Sequence, residues 1–105
     1  MKIFFFDADN GARRDDYECD LDEAINEFYE LSDVKGSFLG LVNESGKVVQ
    51  FAWLDDDKWG IDIPLPERGG SLSKLGDYEM CQQIIIDYFN GISPESLDGL
   101  EFEKL

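Results

Sequence analysis

The sequence predicts an α+β domain: an antiparallel sheet of about five strands with two helices packed on one face. Three observations lead there. Three strand-like runs follow one another in the middle of the chain. Two capped helical stretches flank them. A hydrophobic fraction of 43% over 105 residues, with 14 aromatic side chains, supplies one core and leaves no room for a second. The whole of 1–105 therefore reads as a single domain.

Lys2-Ile3-Phe4-Phe5-Phe6 is apolar at every position after the lysine, which suits a strand interior to a sheet. Asp7, Asp9, Asn10 and Gly11 supply turn chemistry, and residues 16–19 suit a short strand returning beside the first. Asp20 opens a helix over 21–33, because Asp20 followed three places on by Glu23 is a capping box. Leu21, Ala24, Ile25, Phe28 and Leu31 recur at helical spacing and form its buried stripe. Glu23, Glu27 and Glu30 share the opposite side.

Phe38 to Asn43 is strand-like and ends in the turn Glu44-Ser45-Gly46-Lys47. Val48 to Leu54 alternates, with Val49, Phe51 and Trp53 on one face. Asp55-Asp56-Asp57 turns the chain, and Trp59, Ile61 and Ile63 alternate in the next run. These three make an antiparallel meander with one face to the core. Pro64, Pro66, Gly69 and Gly70 mark a loop. Asp77 caps a second helix that runs to Asn90-Gly91, with Cys81, Ile84, Ile85, Tyr88 and Phe89 on its buried side. Residues 100–104 alternate as a closing strand.

Charge is the outlying property. Twenty-four acids against nine bases give −15, with no histidine. Most of those carboxylates face water, since unpaired charge is not buried. Their field repels nucleic acid and anionic membranes and attracts cationic surfaces. Residues 1–33 alone carry 11 of the acids and 3 of the bases. No secretory signal precedes Cys19 and Cys81, so reduced, buried thiols in a cytoplasmic protein are expected.

Without histidine there is no histidine-based triad or zinc site, and two isolated cysteines lack metal or redox spacing. No cofactor or metal is expected. Ile3 to Gly11, a strand ending in Asp7-x-Asp9, resembles the nucleophile motif of haloacid-dehalogenase phosphatases. However, Gly11 departs from that motif, and the chain is short for the parallel sheet of that family. The same stretch lacks the ligand spacing of a calcium loop. A turn accounts for it better.

The capped acidic helix at Asp20–Asp33, the meander through Trp53 and Trp59, the loop Ile63-Pro64-Leu65-Pro66 and the helix from Asp77-Tyr78-Glu79 to Asn90-Gly91 are features of one kind of protein. Together they resemble the small acidic immunity proteins of bacterial polymorphic-toxin and contact-dependent inhibition systems. The resemblance spans most of the chain without a diagnostic motif. It implies a non-enzymatic inhibitor that binds and neutralises a basic toxin, nucleases included, in the cytoplasm. The alternative is an acidic DNA mimic or regulatory adaptor for another basic protein. The residues expected to meet the partner are Asp55, Asp56, Asp57 and Trp59, then Glu23, Glu27 and Glu30.

Overall fold

A computed structural model describes residues 1–104. Seven strands form one sheet: β1 (Lys2–Phe6), β2 (Arg13–Glu18), β3 (Phe38–Val42), β4 (Val48–Asp55), β5 (Lys58–Leu65), β6 (Gly70–Gly76) and β7 (Glu101–Lys104). Their spatial order is β2-β1-β3-β4-β5-β6-β7, and every neighbouring pair is antiparallel. Two helices complete the fold, α1 (Leu21–Glu30) and α2 (Tyr78–Phe89). The class is α+β as expected, but the sheet is wider than the sequence predicts.

The added width is β6. Residues 66–69 form a short helical turn closed by Gly69 at φ 68°, and Gly70 then starts a strand where the sequence reads as loop. Ser71, Ser73 and Lys74 carry little strand preference of their own. Strand pairing on both edges, to β5 and β7, makes this segment regular. The first helix ends at Glu30, three residues short of the expected Asp33, because Leu31 turns to extended backbone.

Both helices cover the same face of the sheet. Ile3, Phe5, Leu39, Leu41, Val49, Phe51, Trp59, Ile61 and Ile63 point to that side and share one core with Ala24 and Phe28 of α1 and Cys81, Ile84, Ile85 and Tyr88 of α2. Phe28 is the keystone: its ring lies 4.8 Å from Trp59, 5.7 Å from Phe51 and 5.0 Å from Tyr78, the last nearly parallel at 12°. Residues of the opposite parity point away from the helices.

Capping follows the sequence closely. Asp20 accepts from the Glu23 amide at 2.8 Å while Glu23 accepts from the Asp20 amide at 3.2 Å. Asp77 accepts from the Met80 amide at 2.8 Å at the start of α2. No helix among the described residues is long and apolar enough to cross a membrane.

Candidate functional site

The charged residues of the helical layer are all acidic. Leu-Asp-Glu-Ala-Ile-Asn-Glu-Phe-Tyr-Glu forms α1, and neither it nor α2 contains a lysine or arginine. Asp22, Glu23, Glu27, Glu30, Glu79 and Asp87 therefore stand on two adjacent helices without a cation of their own. Among the described residues, ion pairs engage only Asp15, Glu18 and Glu95 of the side-chain carboxylates, all of them outside these helices. The helical layer thus carries six acids and no base.

Between the helices runs a groove of about 490 Å³. Leu21, Ile25 and Tyr29 line it from α1, and Tyr78, Gln82 and Ile86 from α2, with Asp22 and Asn26 on its rim. The helical period explains why: positions 21, 25 and 29 fall on one line of the helix surface, beside the core line of 24, 28 and 31. Tyr29 is 75% exposed, the most exposed large apolar or aromatic side chain described. The Tyr78 hydroxyl is buried and has no hydrogen-bond partner. An aromatic groove set in an acidic field is suited to an apolar anchor surrounded by cations.

The structure splits the residues expected to meet a partner. Asp55, Asp56 and Asp57 do form an exposed turn, with Asp56 and Asp57 at φ 40° and 58°, the left-handed pair that a two-residue hairpin requires. Asp57 Oδ1 accepts from the Tyr78 amide at 3.2 Å, which joins this acidic turn to the start of α2 and the Tyr29 end of the groove. Glu23, Glu27 and Glu30 lie on the other flank of α1, away from α2. Glu23 is already engaged there, accepting from the Tyr17 hydroxyl at 3.0 Å as well as from the Asp20 amide. That bond is the main reason the Tyr17 hydroxyl is pushed above its ordinary value.

Trp59 requires a correction. Only 3% of it is exposed, and it packs on Phe28 beneath the helices, so it has no surface to offer a partner. Its place on the inward parity of β5, paired across β4 with the half-buried Trp53, makes it core. Tyr29, which helical spacing could have shown beside the core stripe on the flank opposite Glu23, Glu27 and Glu30, holds the exposed aromatic position instead.

Asp7 closes a different local structure. It is buried, and its carboxylate accepts from the amides of Asp9 at 2.9 Å, Asn10 at 3.3 Å and Ser32 at 3.0 Å. Burial pushes the group up, yet those hydrogen bonds outweigh it and hold the carboxyl below its ordinary 3.8. Asp7 thus clasps the turn after β1 to the end of α1, and both oxygens are occupied by backbone donors. Burial pushes the thiols of Cys19 and Cys81 up to about 11 and about 12, so both stay protonated at neutral pH. They are free cysteines within the core. No protein-family model, curated protein or solved structure gives a significant match to this chain.

Proposed function

We propose that the protein is an immunity-type inhibitor: it binds a basic bacterial toxin through its helical layer and neutralises it in the cytoplasm of the producing cell. One observation carries this reading. Two neighbouring helices bear no cation at all, and the groove between them presents an exposed tyrosine on an apolar floor. Carboxylates along the helices stand where the phosphates of a nucleic acid would lie against a nuclease, and Tyr29 supplies the anchor. Charged rims speed encounter and select the partner, while a desolvated aromatic centre slows release. Asp55 and Asp56 extend the acidic rim past the Tyr78 end of the groove.

The test is co-expression with the product of the adjacent toxin gene. Wild-type protein restores growth and co-purifies with the toxin. Tyr29→Ala weakens the complex by about 2 kcal/mol or more, the loss typical of a central aromatic anchor, while leaving the fold intact. Full protection by the Tyr29→Ala and Asp22→Lys double variant would reject the helical layer as the binding surface. An acidic adaptor for another basic protein would use the same surface; failure to protect against the neighbouring toxin, with retained binding to a different basic protein, would favour it.

A further inference from the structure

The sheet face turned away from the helices is unusual in what it displays. Antiparallel sheets with one solvated face ordinarily put polar residues there. Here a cross-strand row over the five strands from β1 to β6 is apolar or without a side chain, and only its β2 end, Arg13 beside Phe6, is charged: Phe6 pairs with Phe38, Phe38 with Ala52, Ala52 with Gly60, and Gly60 with Leu75. Leu54 lies beside Gly60 in that row, 3.7 Å from where a Cβ on it would stand. Leu75 is 59% exposed, Leu54 41% and Phe38 37%. The rings of Phe4 and Phe6 sit 6.3 Å and 6.1 Å from that of Phe38 and widen the strip. The two residues without side chain bulk, Ala52 and Gly60, leave its centre low, so a partner's side chain has somewhere to enter.

The strip opens into a trough of about 650 Å³, lined by its own Ala52, Gly60 and Leu75 and, further along the strands, by Asp62, Glu101 and Glu103. Asp62 and Glu101 both pair with Ser73, one from each side, and so share the next row along the strands. That row is two residues from the apolar one, a distance of roughly 7 Å. The cation in the trough wall, Lys74, is held by the Asp98 carbonyl at 2.8 Å. At the other end of the strip, Arg13 is paired with Asp15 at 3.4 Å. Lys58, at the start of β5, pairs with Asp55 of β4. Asp62 accepts from the Gln50 side chain at 2.9 Å, Glu101 and Glu103 have no ion-pair partner among the described residues, and the trough thus sets three carboxylates against one lysine.

We infer that this open face is a second docking surface, which takes an extended segment of a partner protein carrying an apolar side chain and a lysine or arginine two residues apart. Side chains two apart in a strand point the same way and are separated by the same 7 Å or so. The apolar one fills the low centre over Ala52 and Gly60, and the cation enters the trough. Charge complementarity selects this occupant over a second copy of the chain, because two molecules at −15 each would bring acidic troughs together. The surface lies across the sheet from the helical groove, and its use does not depend on what that groove binds.

The test is a titration followed by amide chemical shifts, using a short synthetic peptide with leucine and lysine two residues apart. Two control peptides replace the leucine by serine or the lysine by glutamate. Saturable shifts at Phe38, Ala52, Gly60 and Leu75 with the first peptide, and none with either control, are the expected result. Leu75→Glu, a change at an exposed site that leaves the amide spectrum otherwise intact, weakens that binding by about tenfold or more. Shifts that follow lysine alone, shifts confined to Ile25 and Tyr29, or no saturable binding would each overturn the inference. None of those outcomes bears on protection against a toxin, which tests the helical layer separately.

Discussion

Asp7 shows how one carboxylate can organise a junction. Three backbone amides converge on it from the turn after β1 and from the end of α1, and they outweigh the cost of burial. Because its folded value lies below the ordinary 3.8, the charged form stabilises the fold above that value, and this contribution is lost as pH falls through the folded value. Asp7→Asn turns an amide donor toward backbone donors. Its urea midpoint should therefore fall well below wild type at neutral pH, and the two curves should converge in acid. A gap that stays constant from about pH 7 to pH 2 would show that the charge plays no part. Trp59 presents the contrasting case of a residue whose whole role is packing. Trp59→Ala should cost about 3–5 kcal/mol in denaturant unfolding, since it empties the space beside Phe28, whereas Tyr29→Ala should cost little because Tyr29 is mostly in water. Comparable losses from the two substitutions would contradict the assignment of one to core and the other to surface.

At the scale of elements, close approach decides which strands can join. A Cβ on Gly70 would collide with the Glu103 carbonyl and the Phe102 ring, so glycine is what lets β7 pair with β6. Gly70→Ala should cost about 1–3 kcal/mol as an overpacking change, with faster amide exchange in Glu101–Lys104 than elsewhere. Uniform exchange across the sheet would place the strain somewhere else. Gly40 has the opposite arrangement: the Phe4 ring lies over it on the open face and takes up the room a side chain would occupy. Elements with a strong period or a cap were legible in the sequence. The run of Val49, Phe51 and Trp53 and that of Trp59, Ile61 and Ile63 mark their strands by alternation, and Asp20 with Glu23 marks the start of α1. The strand β6 is not legible in this way. Two glycines bound it, serines alternate within it, and its regularity comes from the ladders on either side, which no local pattern reports. The candidate site is legible only in part for a related reason. Spacing shows that Glu23, Glu27 and Glu30 share a flank, but which flank meets α2 depends on how the helices pack. Likewise, alternation places Trp53 and Trp59 on one face without saying that the helices cover it.

Across the whole molecule, charge is distributed by layer. All nine lysines and arginines stand on strands, turns or loops, and the two helices carry acids alone. The open side of the sheet combines an apolar strip with its own acidic trough. Self-repulsion within so acidic a domain costs stability and is screened by salt. Apparent melting temperature should rise as sodium chloride is added in the absence of a partner. The binding account requires salt to act the other way on association, by screening the attraction that brings a cationic partner to the helices. The most direct measurement is therefore the association rate constant with the neighbouring-gene toxin across a range of ionic strength, for wild type and for Asp22→Lys. The account predicts a steep fall in rate with rising salt for the wild type and a slower, flatter profile for the variant. Rates that ignore both salt and the reversed charge would contradict it.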